Sequence, residues 1–478
     1  MIEVLTPQEM RDADAQAVAA AGVDALMRNA GEAIAAYVRE HVPRGSRVVA
    51  FAGPGNNGGD ARAACAQLSD YDCVVYGADA MPQDDAAARA ACAGAALAID
   101  ALFGTGARLP LPEKYAPAIR ALDARERRVL AVDIPSGIDA LTGAVPGDAV
   151  RASATIALAA IKPGLLFEPA NGHCGELWIA DIGIDRATLG AHAHTFTTLD
   201  EAAFLEMLPR RAADADKRSA GAPLIVAGSA QFPGAAVLCA RGAARAGAGY
   251  VTVATAPNAI AALHAHLVEQ VVVTIGDDLL DVAQRNTAVG MGPGLGLDEQ
   301  TGVRLRDFIA RCTLPMVIDA SALFHLAKHL DILRGKACVL TPHEGEFARL
   351  SGRGTIAPGT RVERLREFTQ RTGVTTLLKG PATLVDDGTI TYINPTGTNV
   401  LATAGTGDVL TGIIATLLAQ GLRPRDAAAA GAYWHGLCAR HAARKRPVGV
   451  TAGDLPDALG ATLRSISPST GALRRVYA

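Results

Sequence analysis

The residues best suited to phosphate chemistry lie in a glycine-rich segment at 402–410. Gly405, Thr406 and Gly407 precede Asp408 and an apolar run that predicts a helix. Glycines let backbone N–H groups approach a ligand, and the N-terminus of a helix attracts anions. A carboxylate beside bound phosphate can accept the proton of an attacking hydroxyl, as phosphoryl transfer requires. The pattern predicts a phosphoryl-transfer site with Asp408 as general base; alternatively, Asp408 only caps the helix.

Two upstream segments contribute residues of the same kind. Lysine is rare in this chain, at 7 of the 45 basic residues, so Lys379 before Gly380 stands out as a point charge for nucleotide phosphates. The segment 341–346 contributes His343 at a predicted strand end, together with two carboxylates. The alternatives are a surface lysine before a turn and a histidine whose polar atoms are satisfied within its turn. Together the segments favour a nucleotide site in the second half of the chain.

The first half contains a second cluster of candidate residues. The sequence GPGNNGGD at 53–60 directly follows an apolar strand, and two later strand ends carry Asp100 and Asp133. In an open parallel sheet, ligands bind beyond the carboxyl ends of the strands, where these segments fall. Asp60, Asp100 and Asp133 could instead be helix N-caps. The arrangement predicts a ligand site that accepts an anion.

Length and composition limit the kind of molecule that carries these sites. The 478 residues suffice for at least two domains, at about 100–200 residues each. Half of the residues are hydrophobic, 19% are charged and the mean hydropathy is +0.20, which excludes a largely disordered chain. A net charge of −3 and a pI of about 6.4 provide no electrostatic attraction for nucleic acid or an anionic membrane.

Further features of the sequence predict where the protein works. No apolar run reaches the ~18 residues of a membrane-spanning helix, and the charged N-terminus lacks the apolar core of a signal peptide. The eight cysteines include no CxxC pair, which argues against a zinc site or a disulfide framework. We therefore expect a cytoplasmic protein with reduced thiols whose partners are small molecules.

Alternating strand and helix patterns predict two α/β domains, 1–200 and 201–478. In the first domain, strands are predicted at 47–52, 73–76, 97–100, 128–133 and 155–159. In the second domain, they are predicted at 222–229, 250–255, 288–292, 316–319, 337–343 and 375–380. Strands separated by helix-length segments favour right-handed βαβ units and parallel sheets.

The first domain resembles a known family of isomerases. It contains, in order, LMRNAG (26–31), GPGNNGGD (53–60), DALFGTG (100–106), DIPSGID (133–139) and Lys162-Pro163-Gly164. These segments resemble the NAD(P)HX epimerases, which interconvert the R and S forms of hydrated NADH and NADPH on a Rossmann-like three-layer fold. The resemblance implies that NADHX binds to Asn56, Asn57, Gly58, Gly59, Asp60, Gly104, Thr105, Gly106 and Asp133. It also implies a K⁺ ion held by Asn57, Asp100 and Ser136, whose oxygen atoms suit a hard cation. Asp133 would face the nicotinamide ring and transfer the proton.

The second domain resembles a family of lyases. It contains, in order, Lys217 to Gly221, VAGSAQFPGAA (226–236), GPGLG (292–296), TPHEGEF (341–347), KGPAT (379–383) and AGTGDVLTGIIA (404–415). These segments resemble the ADP-dependent NAD(P)HX dehydratases, which have a ribokinase-like α/β fold. The resemblance implies that NADHX contacts Ala235, Gly294, His343 and Asp408. It implies that ADP, with Mg²⁺, contacts Lys379, Gly380, Pro381, Ala382, Thr383 and Gly407. Asp408 would deprotonate the ring hydroxyl that takes the phosphoryl group.

Together the two resemblances predict a bifunctional NAD(P)H-hydrate repair enzyme that releases AMP and phosphate. The expected partners are NADHX, NADPHX and ADP, with further copies of the chain in a homo-oligomer and with neither nucleic acid nor membrane. Three residues depart from the families' usual patterns, namely Arg28, Ala61 and Ser321. Two other functions stay open at this point. The second domain could be a ribokinase-like kinase for another small alcohol, and the first could be a non-catalytic binding module.

Overall fold

The chain divides into two compact units between residues 202 and 203. The structure, a computed structural model, describes residues 2–276, 278–357, 359–466 and 473–477. The C-terminal strand, Leu473–Tyr477, belongs to the first unit, where it pairs antiparallel with Glu176–Ala180. This strand departs from the predicted second domain of 201–478. The physical reason is that its backbone N–H and C=O groups find partners at the edge of the first sheet.

The first unit is built on a mostly parallel sheet. Its strands are β1 (Ile2–Val4), β2 (Arg47–Ala52), β3 (Asp72–Tyr76), β4 (Leu97–Ala101), β5 (Val129–Val132), β6 (Ala154–Leu158), β7 (Glu176–Ala180), β8 (Phe196–Thr198) and, at the end of the chain, β18 (Leu473–Tyr477). The main sheet has the order β18-β7-β6-β5-β4-β2-β3, and only β18 runs antiparallel to its neighbour. Strands β1 and β8 pair antiparallel. The strand order reverses between β2 and β4, which is where open α/β sheets bind their ligands.

Helices cover both faces of this sheet. They are α1 (Pro7–Ala21), α2 (Val23–His41), α3 (Asn56–Ala66), α4 (Asp85–Ala91), α5 (Ala116–Ala121), α6 (Asn171–Cys174) and α7 (Arg186–His192). Alternate residues of β2 enter opposite cores, with Val48 in one and Val49 in the other. Gly22, at φ 81°, separates α1 from α2 within the predicted helical stretch. The predicted Rossmann-like three-layer architecture is confirmed.

The second unit contains a larger mixed sheet. Its strands are β9 (Pro223–Val226), β10 (Thr252–Thr255), β11 (Val271–Thr274), β12 (Ala288–Met291), β13 (Met316–Ile318), β14 (Cys338–Leu340), β15 (Thr375–Leu378), β16 (Leu384–Asp386) and β17 (Thr391–Ile393). Within the unit their order is β17-β16-β15-β14-β13-β12-β9-β10-β11. Strands β9 to β15 pair parallel, and β16 and β17 extend the sheet antiparallel. Here the order reverses between β9 and β12, beside the loop 292–296.

The helices of the second part of the chain pack around this sheet. They are α8 (Glu201–Met207), α9 (Pro233–Arg245), α10 (Ile260–His264), α11 (Leu279–Ala283), α12 (Glu299–Arg311), α13 (Ala320–Leu326), α14 (Glu344–Ser351), α15 (Arg361–Thr372), α16 (Thr406–Ala419), α17 (Pro424–Lys445) and α18 (Asp454–Ser465). Residues Val409 to Leu418 of α16 are all buried, so this helix forms the centre of the unit. Among the described residues, no helix combines the length and apolar character needed to cross a membrane.

The predicted strands all exist, and their ends differ by a few residues from the predicted ones. Sequence patterns did not identify β1, β7, β8, β11, β16, β17 and β18. Several of these are three or four residues long or lie at the edge of a sheet. Short strands contain too few residues to show a clear alternation, and pairing with a neighbour stabilises them instead.

Candidate active sites

A cavity of about 660 Å³ lies at the switch point of the first sheet. The predicted ligand residues that line it are Asn56, Asn57, Asp60, Gly104, Thr105, Gly106 and Asp133. Helix α3 begins at Asn56 with Gly55 as its N-cap, so the first N–H groups of the helix point toward the cavity side. Asp60 is therefore not an N-cap, and Asp100 lies within β4, which removes the capping alternative for both residues.

Gly58 and Gly59 lie in close contact with neighbouring elements. They are absent from the cavity lining and pack against neighbouring elements instead. A Cβ at Gly58 would lie 2.1 Å from the Gly53 carbonyl oxygen, and one at Gly59 would lie 2.6 Å from Cε of Met27. These glycines allow α3 to approach β2 and α2 closely. Ala61 is likewise buried in the core, so its methyl group does not face the cavity.

Asp133 and Lys162 form a buried ion pair at the cavity. The Nζ of Lys162 lies 2.5 Å from Oδ1 of Asp133 and donates to the Leu158 carbonyl at 2.8 Å. Lys162 is only 2% exposed. Asp133 has a φ of 67°, a left-handed conformation that directs its side chain away from the regular course of β5. Its Oδ2 accepts from the backbone N–H of Thr105 at 3.4 Å.

Two further carboxyl groups share this cavity. The pKa of Asp60 is raised to about 8, mainly by burial, and the nearby charges of Asp133 and Asp14 contribute to this rise. Burial also raises the pKa of Asp14, a residue of α1 that sequence analysis did not single out. The cavity therefore combines an ion-paired carboxylate with a carboxyl group that is mostly protonated at neutral pH. Such a combination can both donate and accept protons.

Of the three residues predicted to hold K⁺, Asn57 lines the cavity, whereas Asp100 and Ser136 are fully buried and absent from its lining. Ser136 donates its hydroxyl to Asp100 Oδ1 and its backbone N–H to Oδ2, both at 2.7 Å. Asp100 is fully buried, and burial raises its pKa to about 6. The amide of Asn57 is buried, and neither its oxygen nor its nitrogen has a partner among the described residues. An unpartnered buried amide oxygen, a carboxylate and a hydroxyl are all ligand types that fit a hard cation.

In the second unit, Asp408 lies in the first turn of α16. The N-cap is Gly405, at φ 88°, and Asp408 does not cap the helix, so the capping alternative is wrong. The pKa of Asp408 is raised to about 7, mainly by burial; the charge of Asp319 contributes to this rise, and the charge of Lys379 opposes it. A carboxylate with a pKa near the working pH is suited to general-base catalysis.

A second lysine–aspartate pair lies beside Asp408. The Nζ of Lys379 lies 2.6 Å from Oδ1 of Asp319, and the Thr411 hydroxyl donates to Oδ2 at 2.9 Å. Asp319 is 1% exposed and also accepts the backbone N–H of Ala320. A Cβ at Gly407 would lie 3.2 Å from Nζ of Lys379, so this glycine keeps the lysine near the start of α16. Lys379 is therefore not a free surface lysine.

The remaining predicted hydrate contacts fall into two places. Ala235 and Gly294 are neighbours, since a Cβ at Gly294 would lie 2.9 Å from that of Ala235. His343 is the N-cap of α14, and its Nδ1 accepts the backbone N–H of Gly345 at 3.0 Å. Its ring is nevertheless 62% exposed, and with Nδ1 as acceptor the neutral ring carries its proton on Nε2. His343 can therefore be satisfied within its turn through Nδ1 and still have Nε2 available to bind the hydrate.

The loop Lys379–Thr383 has an unusual backbone. Gly380 has a φ of 141° and Ala382 a φ of 52°. Arg361, which sequence analysis did not single out, donates to carbonyl oxygens of this loop. Arginine is common in this chain and no glycine motif adjoins Arg361, so no local signal marks it. Lys162, by contrast, is a rare lysine within a Lys-Pro-Gly sequence, so its sequence could have identified it as a site residue.

Comparisons with known proteins agree with both units. The family model described as NAD(P)H-hydrate dehydratase matches residues 223–460, and that for the YjeF-related protein N-terminus matches residues 23–92 and 75–164. The bifunctional NAD(P)H-hydrate repair enzyme Nnr of Moorella thermoacetica is 36% identical, with 92% of each chain covered. The enzyme of the same name from Mycobacterium tuberculosis is 38% identical over 88% of this chain and 90% of its own.

Solved structures resemble the second unit. The ADP/ATP-dependent NAD(P)H-hydrate dehydratase from Bacillus subtilis, co-crystallised with ATP/Mg²⁺, is 30% identical with a TM-score of 0.50, covering 57% of this chain and 98% of its own. A ribokinase-like superfamily protein from Enterococcus faecalis is 26% identical with a TM-score of 0.51, covering 56% and 96%. The second unit is thus a ribokinase-like nucleotide enzyme, joined to an α/β unit of the YjeF type. The whole chain belongs to the family of bifunctional NAD(P)H-hydrate repair enzymes.

Proposed function

We propose that the chain repairs hydrated NADH and NADPH in two steps. The first unit epimerises the R and S forms of NAD(P)HX, and the second dehydrates the S form with ADP, releasing AMP and phosphate. The observation that carries the proposal is the placement of Asp408, with its raised pKa, in the first turn of α16 beside Lys379. The enzyme acts in the cytoplasm on these small molecules as a homo-oligomer, and binds neither nucleic acid nor membrane.

Asp408 acts as the general base of dehydration. Its carboxylate takes the proton of the hydroxyl on ring carbon 6, and that oxygen attacks the terminal phosphoryl group of ADP, whose bond to the bridging oxygen breaks and releases AMP. The N–H groups at the start of α16, including that of Gly407, and the ammonium group of Lys379 stabilise the charge of the transferred group. Phosphate then leaves carbon 6 with its bonding electrons, a neighbouring ring proton is lost, and the ring double bond forms.

The other predicted residues hold the two substrates. Ala235, Gly294 and His343 contact the hydrate, with the exposed His343 ring donating from Nε2. The loop Lys379–Thr383, with Gly380, Pro381 and Ala382, contacts the adenine nucleotide. When bound, Mg²⁺ neutralises charge on the phosphates of the nucleotide. Asp319 serves mainly to orient Lys379, because its carboxylate oxygens already accept hydrogen bonds from Lys379, Thr411 and Ala320.

In the first unit, Asp133 transfers the proton during epimerisation. The ion pair with Lys162 fixes its carboxylate in the cavity, which could accommodate the hydrated ring. The helix start at Asn56 would face the phosphates of the ligand, and Thr105 would adjoin its ribose. K⁺, held by Asn57, Asp100 and Ser136, would supply fixed positive charge at the carboxyl end of β4.

One assay tests both activities. The full-length protein is incubated with a mixture of R- and S-NADHX, ADP and Mg²⁺, and NADH is followed by its absorbance. Complete conversion supports both activities, and conversion of the S fraction alone means that the first unit is not an epimerase. No NADH with this mixture, but phosphorylation of another small alcohol, would favour the kinase alternative.

Crystals soaked in Rb⁺ should show a heavy cation beside Asn57, whereas density that stays water-like would exclude the cation site.

A further inference from the structure

Arg361 is held against the loop Lys379–Thr383 by several hydrogen bonds. Its Nη2 donates to the carbonyl oxygen of Lys379 at 3.3 Å, and its Nη1 donates to the carbonyl oxygens of Pro381 and Ala382. The side chain of Arg361 is 19% exposed. Arg361 is the first residue of helix α15, which anchors it. Three carbonyl groups of one short loop therefore share a single guanidinium group, whose planar fork offers donors in several directions.

The backbone of the loop explains why it needs this support. Gly380, at φ 141°, and Ala382, at φ 52°, occupy conformations that residues with a side chain adopt rarely. A Cβ at Gly380 would lie 2.7 Å from Nη2 of Arg361, so the guanidinium group occupies the space that a side chain would need. The glycine of the KGPAT sequence thus serves the approach of Arg361 as well as the turn.

The same guanidinium group also contacts the segment that follows His343. Its Nε lies 2.9 Å from Oε1 of Glu344, the first residue of α14. His343 is the N-cap of that helix. Arg361 therefore connects the start of α14 to the loop that follows β15.

We propose that Glu344 and Arg361 form a clamp that couples the nucleotide loop to the hydrate-binding segment. The clamp consists of these two residues, and both are positioning residues, because neither contacts the reacting atoms. This inference rests on the proposed function, in which His343 contacts the hydrate and Lys379–Thr383 contact ADP. Binding of ADP orders the loop carbonyls around Arg361, which fixes Glu344 and the start of α14. Since coupling between sites is reciprocal, each substrate strengthens binding of the other.

The first test measures binding of ADP without turnover. Mg-ADP is titrated calorimetrically into the full-length protein and into Arg361→Lys, whose ammonium group cannot reach three carbonyls at once. We expect the dissociation constant to rise about tenfold, as loss of hydrogen bonds from a charged donor implies. Gly380→Ala, which leaves the arginine in place but crowds it, should cause a comparable loss. Binding within twofold of wild type in Arg361→Lys would overturn the clamp.

The second test separates coupling from binding. In wild-type protein, the KM for ADP should fall about fivefold or more as S-NADHX rises to saturation. In Glu344→Gln, the calorimetric affinity for ADP should stay within twofold of wild type, because Arg361 keeps its carbonyl contacts, but the dependence of KM on the hydrate should disappear. If Glu344→Gln keeps the wild-type dependence, the coupling does not pass through this pair.

A matched control lies on the same helix. Glu367→Gln removes an exposed ion pair between Arg353 and Glu367, a residue of α15. It should change neither the affinity for ADP nor the dependence of the KM for ADP on S-NADHX. Melting curves of all variants identify a general loss of stability, which would affect the control and clamp variants alike. If wild-type protein binds Mg-ADP and Arg361→Lys weakens it, but no NADHX is dehydrated, the nucleotide part of the clamp stands and the proposed function fails.

Discussion

Both units contain a lysine–aspartate ion pair with a buried aspartate, but the pairs differ in what surrounds them. In the first unit, Lys162 lies 2.5 Å from Asp133, whose second oxygen lies at the cavity beside Thr105. In the second unit, Lys379 lies 2.6 Å from Asp319, whose other oxygen accepts from Thr411. The first aspartate is therefore available to a ligand, whereas the second is satisfied by the protein.

The backbone next to each pair also differs between the two units. Asp133 follows β5 in a left-handed conformation and faces the cavity itself. In the second unit the carboxylate proposed to react is that of Asp408, in the first turn of α16, where N–H groups of the helix accompany it. Under the proposed function, the ion pair of the first unit holds a proton-transfer group, and that of the second unit orients a phosphate-binding lysine.

The largest effect should come from removing the carboxylate at the start of α16. We expect Asp408→Asn to lower the turnover number of dehydration by about 10²–10⁴, the usual contribution of a general base. Calorimetric binding of Mg-ADP should remain, because the phosphate contacts are proposed to come from N–H groups and Lys379 rather than from Asp408. A variant that kept more than about a tenth of wild-type turnover would show that Asp408 is not the base.

The next largest effect tests Asp133, the aspartate of the ion pair in the first unit. With a mixture of R- and S-NADHX, Asp133→Asn should give a fast phase and then a plateau, leaving the R fraction to slow spontaneous epimerisation. The reason is that only one stereoisomer can place its hydroxyl in line with Asp408. Addition of the wild-type protein should complete the reaction. Progress curves that match wild type would mean that Asp133 is not the proton-transfer group, and a wild-type plateau would mean that the first unit is inactive.

A smaller effect tests the electrostatic role of Lys379. Since Asp408 must be ionised to act as base, the turnover number should rise with pH through about 7, the value to which burial raises its pKa. The charge of Lys379 lowers that pKa, so Lys379→Met should move the rising limb to higher pH by about one unit. The pH profile is measured at saturating ADP. An unmoved limb would show that the observed titration belongs to another group.

The smallest effect concerns stability in the first unit. Because the pKa of Asp60 is raised from its ordinary 3.8 to about 8, the folded state binds more protons than the unfolded chain between these values, so its contribution to stability falls as pH rises. Asp60→Asn replaces the carboxyl group with one that does not ionise and so removes this pH-dependent loss of stability. It should raise the melting temperature at pH 8 by about 2–4 °C. At pH 4 the variant and wild type should melt alike. A variant that melts below wild type at pH 8 would contradict the burial argument.

The sequence determined the positions of the chemistry along the chain. Glycine-rich segments after apolar strands predicted ligand sites, and the structure places Asn56, Asp133 and Asp408 at such positions. Periodic apolar patterns also predicted the central strands of both sheets. These inferences succeed because strand formation, helix starts and glycine turns depend on residues that are close together in the chain.

Only the tertiary structure decided which charged groups meet and how they titrate. Lys379 and Asp319 are 60 residues apart in sequence, and Arg474 of β18 pairs with Asp200 from 274 residues away. Arg361 and Asp14 carry no local motif, so only folding shows their partners. The pKa values of Asp60 and Asp408 rise because the whole unit excludes water around them, and burial of that kind is a property of packing rather than of any segment.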